Sequence, residues 1–264
     1  MKAILLPVWR YRHFIASSIK NQLVVRFVRS RLGGLWMILH PLAQVAIYAL
    51  VLSEVLAARL PGIDNKHAYA IYLMAGMAAW SLFAEVLGQS LTVFIDNGPL
   101  LKKMAFPKLA LPLIVVGGAL LNNLMLLAAV LAVFGLLGHP PTWQGLWLPV
   151  LILLTLGLAA GLGLCLGIIN VFLRDIGQTL PIVLQFWFWL TPIVYAPQVL
   201  PADYAGWLAY NPMTPIVAGY QAILMYGRAP DWPGLAYPAL WAMASLGLAL
   251  FLYRRASEEM VDVL

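Results

Sequence analysis

The chain has 264 residues, of which 63% are hydrophobic and only 10% are charged, and its formal net charge is +6. Since a soluble domain usually has about 25% charged residues, this composition excludes a soluble globular protein and predicts one whose solvent is lipid. The apolar runs are long and continuous, which excludes a barrel of alternating strands and predicts a single all-α integral membrane domain.

Residues 1–34 predict a helix that lies in the cytoplasmic interface of the membrane. Apolar residues recur every fourth position from Ile15 to Phe27, and Lys20 and Arg26 fall between them. This spacing puts the apolar side chains on one helix face and the basic ones toward anionic headgroups. The alternative is a plain basic tail, against which the apolar spacing argues.

Six apolar segments follow, each long enough to cross about 30 Å of hydrocarbon as a helix. They are residues 35–56, 69–95, 109–137, 146–171, 176–195 and 235–253. Residues 196–234 are rich in proline but also hold apolar pieces shorter than a span. Such pieces predict short re-entrant or interfacial helices on the outer side of the membrane.

Basic residues indicate the orientation of the chain. All but three of the 16 Lys and Arg residues fall on the side that holds both termini, the exceptions being Arg59, Lys66 and Arg228. By the positive-inside rule both termini are cytoplasmic, so the positive charge reports topology and requires no nucleic-acid partner.

The sequence lacks the motifs of an enzyme. It has no G-x-x-x-x-G-K-[ST] phosphate-binding loop and no G-x-S-x-G element, and its four histidines are scattered over different segments. We therefore predict that the chain is not an enzyme and holds no metal or cofactor of its own. Energy for uphill transport would come from an ion gradient or from a separate ATPase.

Polar side chains inside the predicted spans are candidate functional groups, because they are costly in lipid. Glu85 lies mid-way along the second span, with Gln89 one turn later on the same face. Asn122 and Asn123 lie mid-way along the third, Gln44 lies in the first and Gln185 in the fifth. These groups indicate either the lining of a translocation path or hydrogen bonds between helices, and both readings remain open for the amides. For Glu85 we favour a lining role or a protonated structural role over a proton relay, which needs several acids or histidines in series.

The stretch FWFWLTPIVY at 186–195 crowds aromatic rings at the end of the fifth predicted span. Successive residues advance about 100° around a helix, so these rings cannot all face one channel. An aromatic belt at the outer interface is the alternative to a channel lining. The Thr-Pro pair at 191–192 predicts the point at which the span gives way to irregular outer structure.

Several motifs resemble the permease subunits of ATP-binding-cassette polysaccharide exporters, of the O-antigen and teichoic-acid type. They are NVFLRDIGQTLPIVLQFWFWLTPIVY (170–195), YNPMTPIV (210–217), RSRLGGLWMILHPL (29–42) and PLLKKMAFPKLALPL (99–113). The C-terminal MVDVL (260–264) is similar to the tail of the O-antigen lipopolysaccharide branch. The resemblance runs from about residue 15 to the end, in the same order and spacing.

The resemblance implies a half-transporter in the bacterial cytoplasmic (inner) membrane. Its fold would have six transmembrane helices, the N-terminal interface helix and two short re-entrant outer helices between spans five and six. Two copies would pair, each docking a separate nucleotide-binding subunit that binds ATP and Mg, to move an undecaprenyl-diphosphate-linked polysaccharide. The layout would be one permease domain over 1–264, with the interface helix and loop at 1–34, spans one to five at 35–195, the outer region at 196–234, and span six with a cytoplasmic tail at 235–264.

The same resemblance implies three sets of site residues. The channel lining for the polysaccharide would be Trp80, Phe83, Glu85, Gln89, Asn122, Phe188, Trp189 and Tyr195. The lipid diphosphate would be attracted at the inner entrance by Arg26, Arg29 and Arg31. A basic, proline-bounded inner loop would couple to the ATPase through Pro99, Leu100, Lys102, Lys103 and Phe106.

The leading hypothesis is therefore export of a lipid-linked O-antigen polysaccharide. A teichoic acid or capsular polysaccharide handled by the same mechanism is the first alternative, and an ion-coupled carrier for a small molecule is the second. The carrier would need several intramembrane ionisable groups and commonly an internal repeat, for which Glu85 alone is a thin basis. A membrane scaffold without transport would not account for the inner loop or the outer apolar pieces.

Overall fold

The computed structural model describes residues 9–28, 35–48, 68–103, 108–199, 201, 206–257 and 259–264. Within these ranges the regular structure is helical and no strand occurs, which confirms the all-α class for this part of the chain. The helices are α1 (Arg12–Val28), α2 (Trp36–Tyr48), α3 (Ala68–Asp96), α4 (Gly98–Lys103), α5 (Ala110–Leu136), α6 (Leu148–Phe172), α7 (Asp175–Leu190), α8 (Met213–Leu224), α9 (Trp232–Ala256) and α10 (Glu259–Val263). Short 3-10 helices at Trp143–Trp147 and Pro197–Val199 precede α6 and α8.

Four of the described helices are long and apolar enough to cross a membrane. They are Ala68–Asp96, Ala110–Leu136, Trp143–Phe172 and Trp232–Ala256, which confirm the second, third, fourth and sixth predicted spans. In the first and fifth predicted spans, α2 has 13 residues and α7 has 16. Residues 49–56, the rest of the first predicted span, lie outside the described residues.

Helix α7 ends at Leu190, short of the predicted end of the fifth span at residue 195. The reason is local. Thr191 is extended, with φ −102° and ψ 133°, and Pro192 has no N–H to continue the backbone hydrogen bonds of the helix. The chain from Thr191 to Ala196 is therefore irregular, although most of it is buried, with Thr191 and Ile193 fully covered.

Side chains from α3 and α8 satisfy the carbonyl groups of this irregular segment. The Tyr69 hydroxyl donates to the Val194 carbonyl oxygen at 2.6 Å. The Tyr72 hydroxyl lies 3.2 Å from the Pro192 carbonyl and 3.0 Å from that of Tyr195. Gln221 donates its Nε2 hydrogen to the Pro192 carbonyl at 3.1 Å. Irregular backbone at membrane depth is tolerated only when protein or water supplies such partners.

Helix α3 lies at the centre of the fold. It packs against α2, α5, α6, α7 and α8, and 78% of the residues in its apolar 18-residue stretch are buried. Helix α9 packs mainly on α6. Only 28% of the residues in its apolar 18-residue stretch are buried, so the face directed away from α6 is exposed. Small residues allow the close approach of α6 to α3 and α9. A Cβ at Gly163 would lie 2.7 Å from Ser90 Cβ of α3, and one at Gly161 would lie 2.8 Å from the Leu246 backbone nitrogen of α9.

Residues 196–234, the predicted outer region, contain the apolar helix α8 of 12 residues, whose Met213, Ile216 and Tyr220 are fully buried. It packs against α3 and α6. Residues 206–208 are helical as well, and residues 202–205 before them lie outside the described residues, so the second re-entrant helix stays a prediction. At the C-terminus of the chain, α10 packs against α4 and α6 and buries Met260.

Candidate functional site

A cavity of about 730 Å³ lies between α2, α3, α5 and α7, and we call it the central cavity. Its position follows from the helix packing, because α3 contacts each of the other three helices. The lining combines aromatic rings with amide, hydroxyl, imidazole and carboxyl groups, contributed by Trp36, His40, Gln44, Trp80, Ser81, Glu85, Asn122, Asn123, Gln185, Phe188 and Trp189.

The aromatic side of the central cavity is built from α3 and α7. The Trp80 and Phe188 rings meet edge to face, with centroids 5.7 Å apart, and Phe188 meets Trp189 at the same distance. Behind them, Phe83 packs edge to face on Trp187 at 5.0 Å. Such pairs restrain one another, so the rings that line the cavity are held in defined orientations.

The polar side of the central cavity is built from α3 and α5. Asn122 donates its Nδ2 hydrogen to Glu85 Oε1 at 2.5 Å, and Gln89 donates to the same oxygen at 2.7 Å. Asn123 donates to the Ala78 carbonyl at 2.8 Å. The side-chain carbonyl oxygens of Asn122 and Asn123 are buried and have no hydrogen-bond partner.

Two smaller cavities flank the central one. One, of about 470 Å³, adjoins the predicted outer region and is called the outer cavity; it is lined by Trp187, Trp189, Leu190, Tyr195, Trp207, Leu208, Tyr210 and Asn211. The inner cavity, of about 280 Å³, lies between α1, α5 and the α3–α4 junction. Its polar lining is Ser18, Gln22, Gln89, Thr92, Asp96 and Asn97. Trp189 lines both the central and the outer cavity, whereas Gln89 lines the inner cavity and is hydrogen-bonded to Glu85 of the central one.

The predicted channel-lining residues are divided among these cavities and the core. The central cavity is lined by Trp80, Glu85, Asn122, Phe188 and Trp189. Among the other three, Gln89 lines the inner cavity and Tyr195 lines the outer one. Phe83 is fully buried and packs between Trp80 and Trp187. Their part in transport stays a prediction.

The predicted coupling residues form the short helix α4, directly after α3. Pro99, Leu100, Lys102 and Lys103 lie in this helix, where Leu100 lines the inner cavity and Lys102 is exposed. Phe106 lies outside the described residues.

The predicted diphosphate-binding arginines lie largely outside the part of the chain that the structure describes. Arg26 lies in α1, although its side chain is outside the described part of the structure, and Arg29 and Arg31 lie outside the described residues altogether. The attraction of a lipid diphosphate to these three arginines stays a prediction.

Sequence reasoning singled out Gln44 and Gln185, which line the central cavity, but missed Trp36 and His40 on the same face of α2 as Gln44. Trp36, His40 and Gln44 follow one another at intervals of four residues, which puts them on one side of the helix. That spacing was the available signal. No group of three or more His, Cys, Asp or Glu side chains that could hold a metal occurs within the described ranges.

Comparison with known proteins matches residues 14–225 to the family described as ABC-2 type transporter. The chain is 29% identical over 257 residues to the O-antigen export system permease protein RfbA of Myxococcus xanthus, covering 97% of this chain and 96% of that protein. It is 27% identical over 233 residues to a protein of the same name from Klebsiella pneumoniae, covering 88% of each. It is 23% identical over 245 residues to the polysialic acid transport protein KpsM of Escherichia coli, covering 91% of this chain and 92% of KpsM. Since the match includes every helix that forms the central cavity, this protein belongs to the ABC-2 type transporter family.

Proposed function

We propose that this protein is the channel-forming permease subunit of an ATP-driven exporter that moves a lipid-linked O-antigen polysaccharide across the bacterial cytoplasmic membrane. As a member of its family it is a multi-pass membrane permease without an ATPase domain of its own. The relatives from Myxococcus and Klebsiella are named for O-antigen export and the one from Escherichia for polysialic acid transport, so all three are named for polymers of sugars.

The observation that carries the proposal is the pairing of rings and amides in the central cavity. Trp80, Phe188 and Trp189 offer apolar faces, while Asn122 and Asn123 offer polar groups within the same space. A pyranose ring presents both a C–H face, which stacks on an aromatic ring, and hydroxyl groups, which bond to amides. Stacking of this kind tolerates changes of register, much as aromatic platforms hold successive bases of a single strand, and would let a long polymer slide.

The size of the central cavity suits a short stretch of polymer. Its volume of about 730 Å³ lies within the range of about 300–1,000 Å³ typical of sites for small organic ligands. The outer cavity shares Trp189 with it, so a polymer that leaves the central cavity would pass from one aromatic surface to the next.

The energy for export would come from two nucleotide-binding subunits docked on a pair of permease chains. Helix α4 would be the docking element, because it is short, follows the central helix α3 directly and presents Lys102 at the surface. Arg26, Arg29 and Arg31 would attract the undecaprenyl diphosphate at the cytoplasmic entrance, since guanidinium groups bind phosphate oxygens in pairs. In this arrangement both termini are cytoplasmic.

Deletion of the gene, followed by inspection of the polysaccharide, tests the proposal. We expect surface polysaccharide to disappear and lipid-linked polymer to accumulate inside the cell, with both effects reversed by the wild-type gene. Normal surface polymer without internal accumulation would show that the chain has another function.

The identity of the accumulated polymer separates the proposal from its first alternative. A lipopolysaccharide O-antigen supports it, whereas a teichoic acid or capsular polymer would keep the mechanism and change the substrate. For the ion-coupled alternative, export should survive loss of the nucleotide-binding subunit and stop when the ion gradient is dissipated. The proposal expects the reverse.

A further inference from the structure

Three buried asparagines of the transmembrane helices differ in how their amides are satisfied. Asn170 of α6 has both groups paired, because its Nδ2 donates to the Leu91 carbonyl at 3.0 Å and its Oδ1 accepts from the Gly177 backbone N–H at 2.9 Å. Asn122 and Asn123 of α5 use only their N–H groups, and their carbonyl oxygens are unpaired. The side chains of Asn122 and Asn123 are 7% and 3% exposed.

A buried acceptor without a partner destabilises a membrane protein, and it calls for a specific explanation. Asn122 and Asn123 both line the central cavity, whereas Asn170 does not. Among the buried asparagines, the unpaired oxygens therefore belong to the two residues that line the cavity. Both oxygens are themselves covered, so a ligand reaches them only when a neighbouring side chain moves. At Asn170, where the surroundings are packed helix, both polar groups are paired.

The orientation of these two amides is fixed by α3. Rotating the Asn122 amide by 180° would bring its carbonyl oxygen against Glu85 Oε1, and rotating that of Asn123 would bring its oxygen against the Ala78 carbonyl. Both rotations place two acceptors together, which is unfavourable. Glu85 and the Ala78 carbonyl thus hold the N–H groups, and each carbonyl is left for a donor from elsewhere.

The ligand that these groups suit is a neutral donor of hydrogen bonds. Two carbonyl oxygens beside the acidic Glu85 repel a phosphate, so the site does not suit the lipid diphosphate. Hydroxyl groups fit, and the ring that carries them can lie against Trp80 or Phe188 in the same cavity.

Resting on the proposed function, we propose that Asn122 and Asn123 form a hydroxyl-binding pair for the sugar units of the polymer. Their side-chain carbonyls accept hydrogen bonds from sugar hydroxyls, and Glu85 is a positioning residue that orients the Asn122 amide. The site contacts the glycan and excludes the diphosphate.

The test uses the full complex with its nucleotide-binding subunits in lipid nanodiscs and two probes. One probe is the delipidated surface polysaccharide of the same bacterium, and the other is that polysaccharide with its hydroxyls methylated. Methylation removes the donors and keeps the rings. We expect the wild-type complex to prefer the native polymer, and the double variant Asn122→Leu/Asn123→Leu to bind it about tenfold more weakly and to lose that preference, as loss of one to two net hydrogen bonds predicts.

Two matched variants separate this role from a structural one. Gln144 also has a buried, unpaired side-chain oxygen but lies outside the central cavity, so Gln144→Leu should leave both the affinity and the preference unchanged. Asn170→Leu removes a fully paired amide, so it should lower thermal stability more than Asn123→Leu while the folded fraction still prefers the native polymer.

The outcomes distinguish this inference from the proposed function. If the wild-type complex binds neither probe, the assignment of the chain to polysaccharide export fails. If the wild type prefers the native polymer and the double variant keeps both affinity and preference, only the hydroxyl-binding pair is overturned. Should the double variant fail to assemble, each single Asn→Leu variant is measured in the same way, and an unchanged preference in both overturns the pair.

Discussion

Trp187 donates its indole N–H to the side-chain oxygen of Asn211 at 2.9 Å, and this bond ties the end of α7 to the start of α8. The same oxygen accepts the Met213 backbone N–H at 2.9 Å, and the Asn211 Nδ2 donates to Thr191 Oγ1 at 2.9 Å. A single side chain therefore connects the helix end, the irregular segment after it and the next helix.

We expect Asn211→Ala to lower the free energy of unfolding by about 2–4 kcal/mol, because it leaves several groups without partners, among them the half-buried Trp187 N–H. Asn211→Asp should cost less, since it keeps the acceptor and loses only the donors. Thermal unfolding in nanodiscs measures both variants. Gln198→Ala, at an exposed position in the same predicted outer region, is the control and should leave the free energy of unfolding unchanged. An equal effect at the two positions would contradict the role of the Asn211 side chain in connecting α7 to α8.

The carbonyl of Pro192 lies within hydrogen-bond distance of two donors, the Gln221 amide at 3.1 Å and the Tyr72 hydroxyl at 3.2 Å. The single hydrogen of that hydroxyl is shared with the Tyr195 carbonyl, at 3.0 Å. We expect Tyr72→Phe and Gln221→Leu together to lower the free energy of unfolding by about 0.5–3 kcal/mol more than the sum of the single variants. Only the double variant leaves the Pro192 carbonyl without a hydrogen-bond donor. Tyr69 donates to a different acceptor, Val194, so the pair Tyr69→Phe and Gln221→Leu should be nearly additive. Equal coupling in both cycles would mean that the shared carbonyl is not the cause.

Helix α1 approaches α5 closely at Gly117, where an added Cβ would collide with the end of the Ile19 side chain, and at Gly118, where it would lie 2.6 Å from Gln22 Oε1. We expect Gly117→Ala to lower the free energy of unfolding by about 1–3 kcal/mol through overpacking, and Ile19→Ala to restore much of the loss. Thermal unfolding of the two single variants and the double variant measures this.

The matched control lies on the same helix. Nothing surrounds Gly135 within 4 Å of an added Cβ, so Gly135→Ala should stabilise α5 by about 0.5–1 kcal/mol through the higher helix propensity of alanine. Opposite signs at Gly117 and Gly135 are expected. Equal signs would show that α1 does not pack on α5 in the way described.

Lys102 is exposed on α4, and Lys103 follows it in the same helix. If α4 docks a nucleotide-binding subunit, reversing both charges should lower export about tenfold while ATP hydrolysis continues, since a charged contact at an interface is lost. The measurement compares hydrolysis and export in reconstituted vesicles. Arg228→Glu reverses an exposed charge after α8, in the outer region, and should leave both rates unchanged. Normal export from the double Lys variant would remove α4 as the coupling element.

Trp189 lines the central and the outer cavity at once, and we expect Trp189→Ala to lower export on the order of tenfold through lost stacking. Phe186 lies three residues earlier in the same helix, is 68% exposed and lines neither cavity, so Phe186→Ala should have little effect. Export is measured as surface polysaccharide in cells that contain equal amounts of assembled complex. Equal losses from both variants would assign the rings of this stretch to the lipid belt.

The aromatic stretch shows how far the sequence alone could reach. The helical repeat predicts that its rings face different environments, and the structure places Phe186 at the surface, Trp187 against Asn211 and Phe188 in the central cavity. The Thr-Pro pair also predicts the break in regular structure, because the missing N–H of proline is a local property. Phe83 was less predictable, since it is Trp187 of another helix that covers it.

The sequence by itself determined the lipid solvent, the helical class, four long spans and the point where the fifth breaks, because these depend on apolar run length and on proline. Only the tertiary structure decided which polar groups meet. The Glu85 carboxylate and the Ala78 carbonyl engage the N–H groups of Asn122 and Asn123 from a neighbouring helix. The two side-chain carbonyls that remain are buried without a partner, in residues that line the central cavity. Hydrogen-bond satisfaction inside a membrane depends on contacts between helices, which the residue order of one helix does not contain.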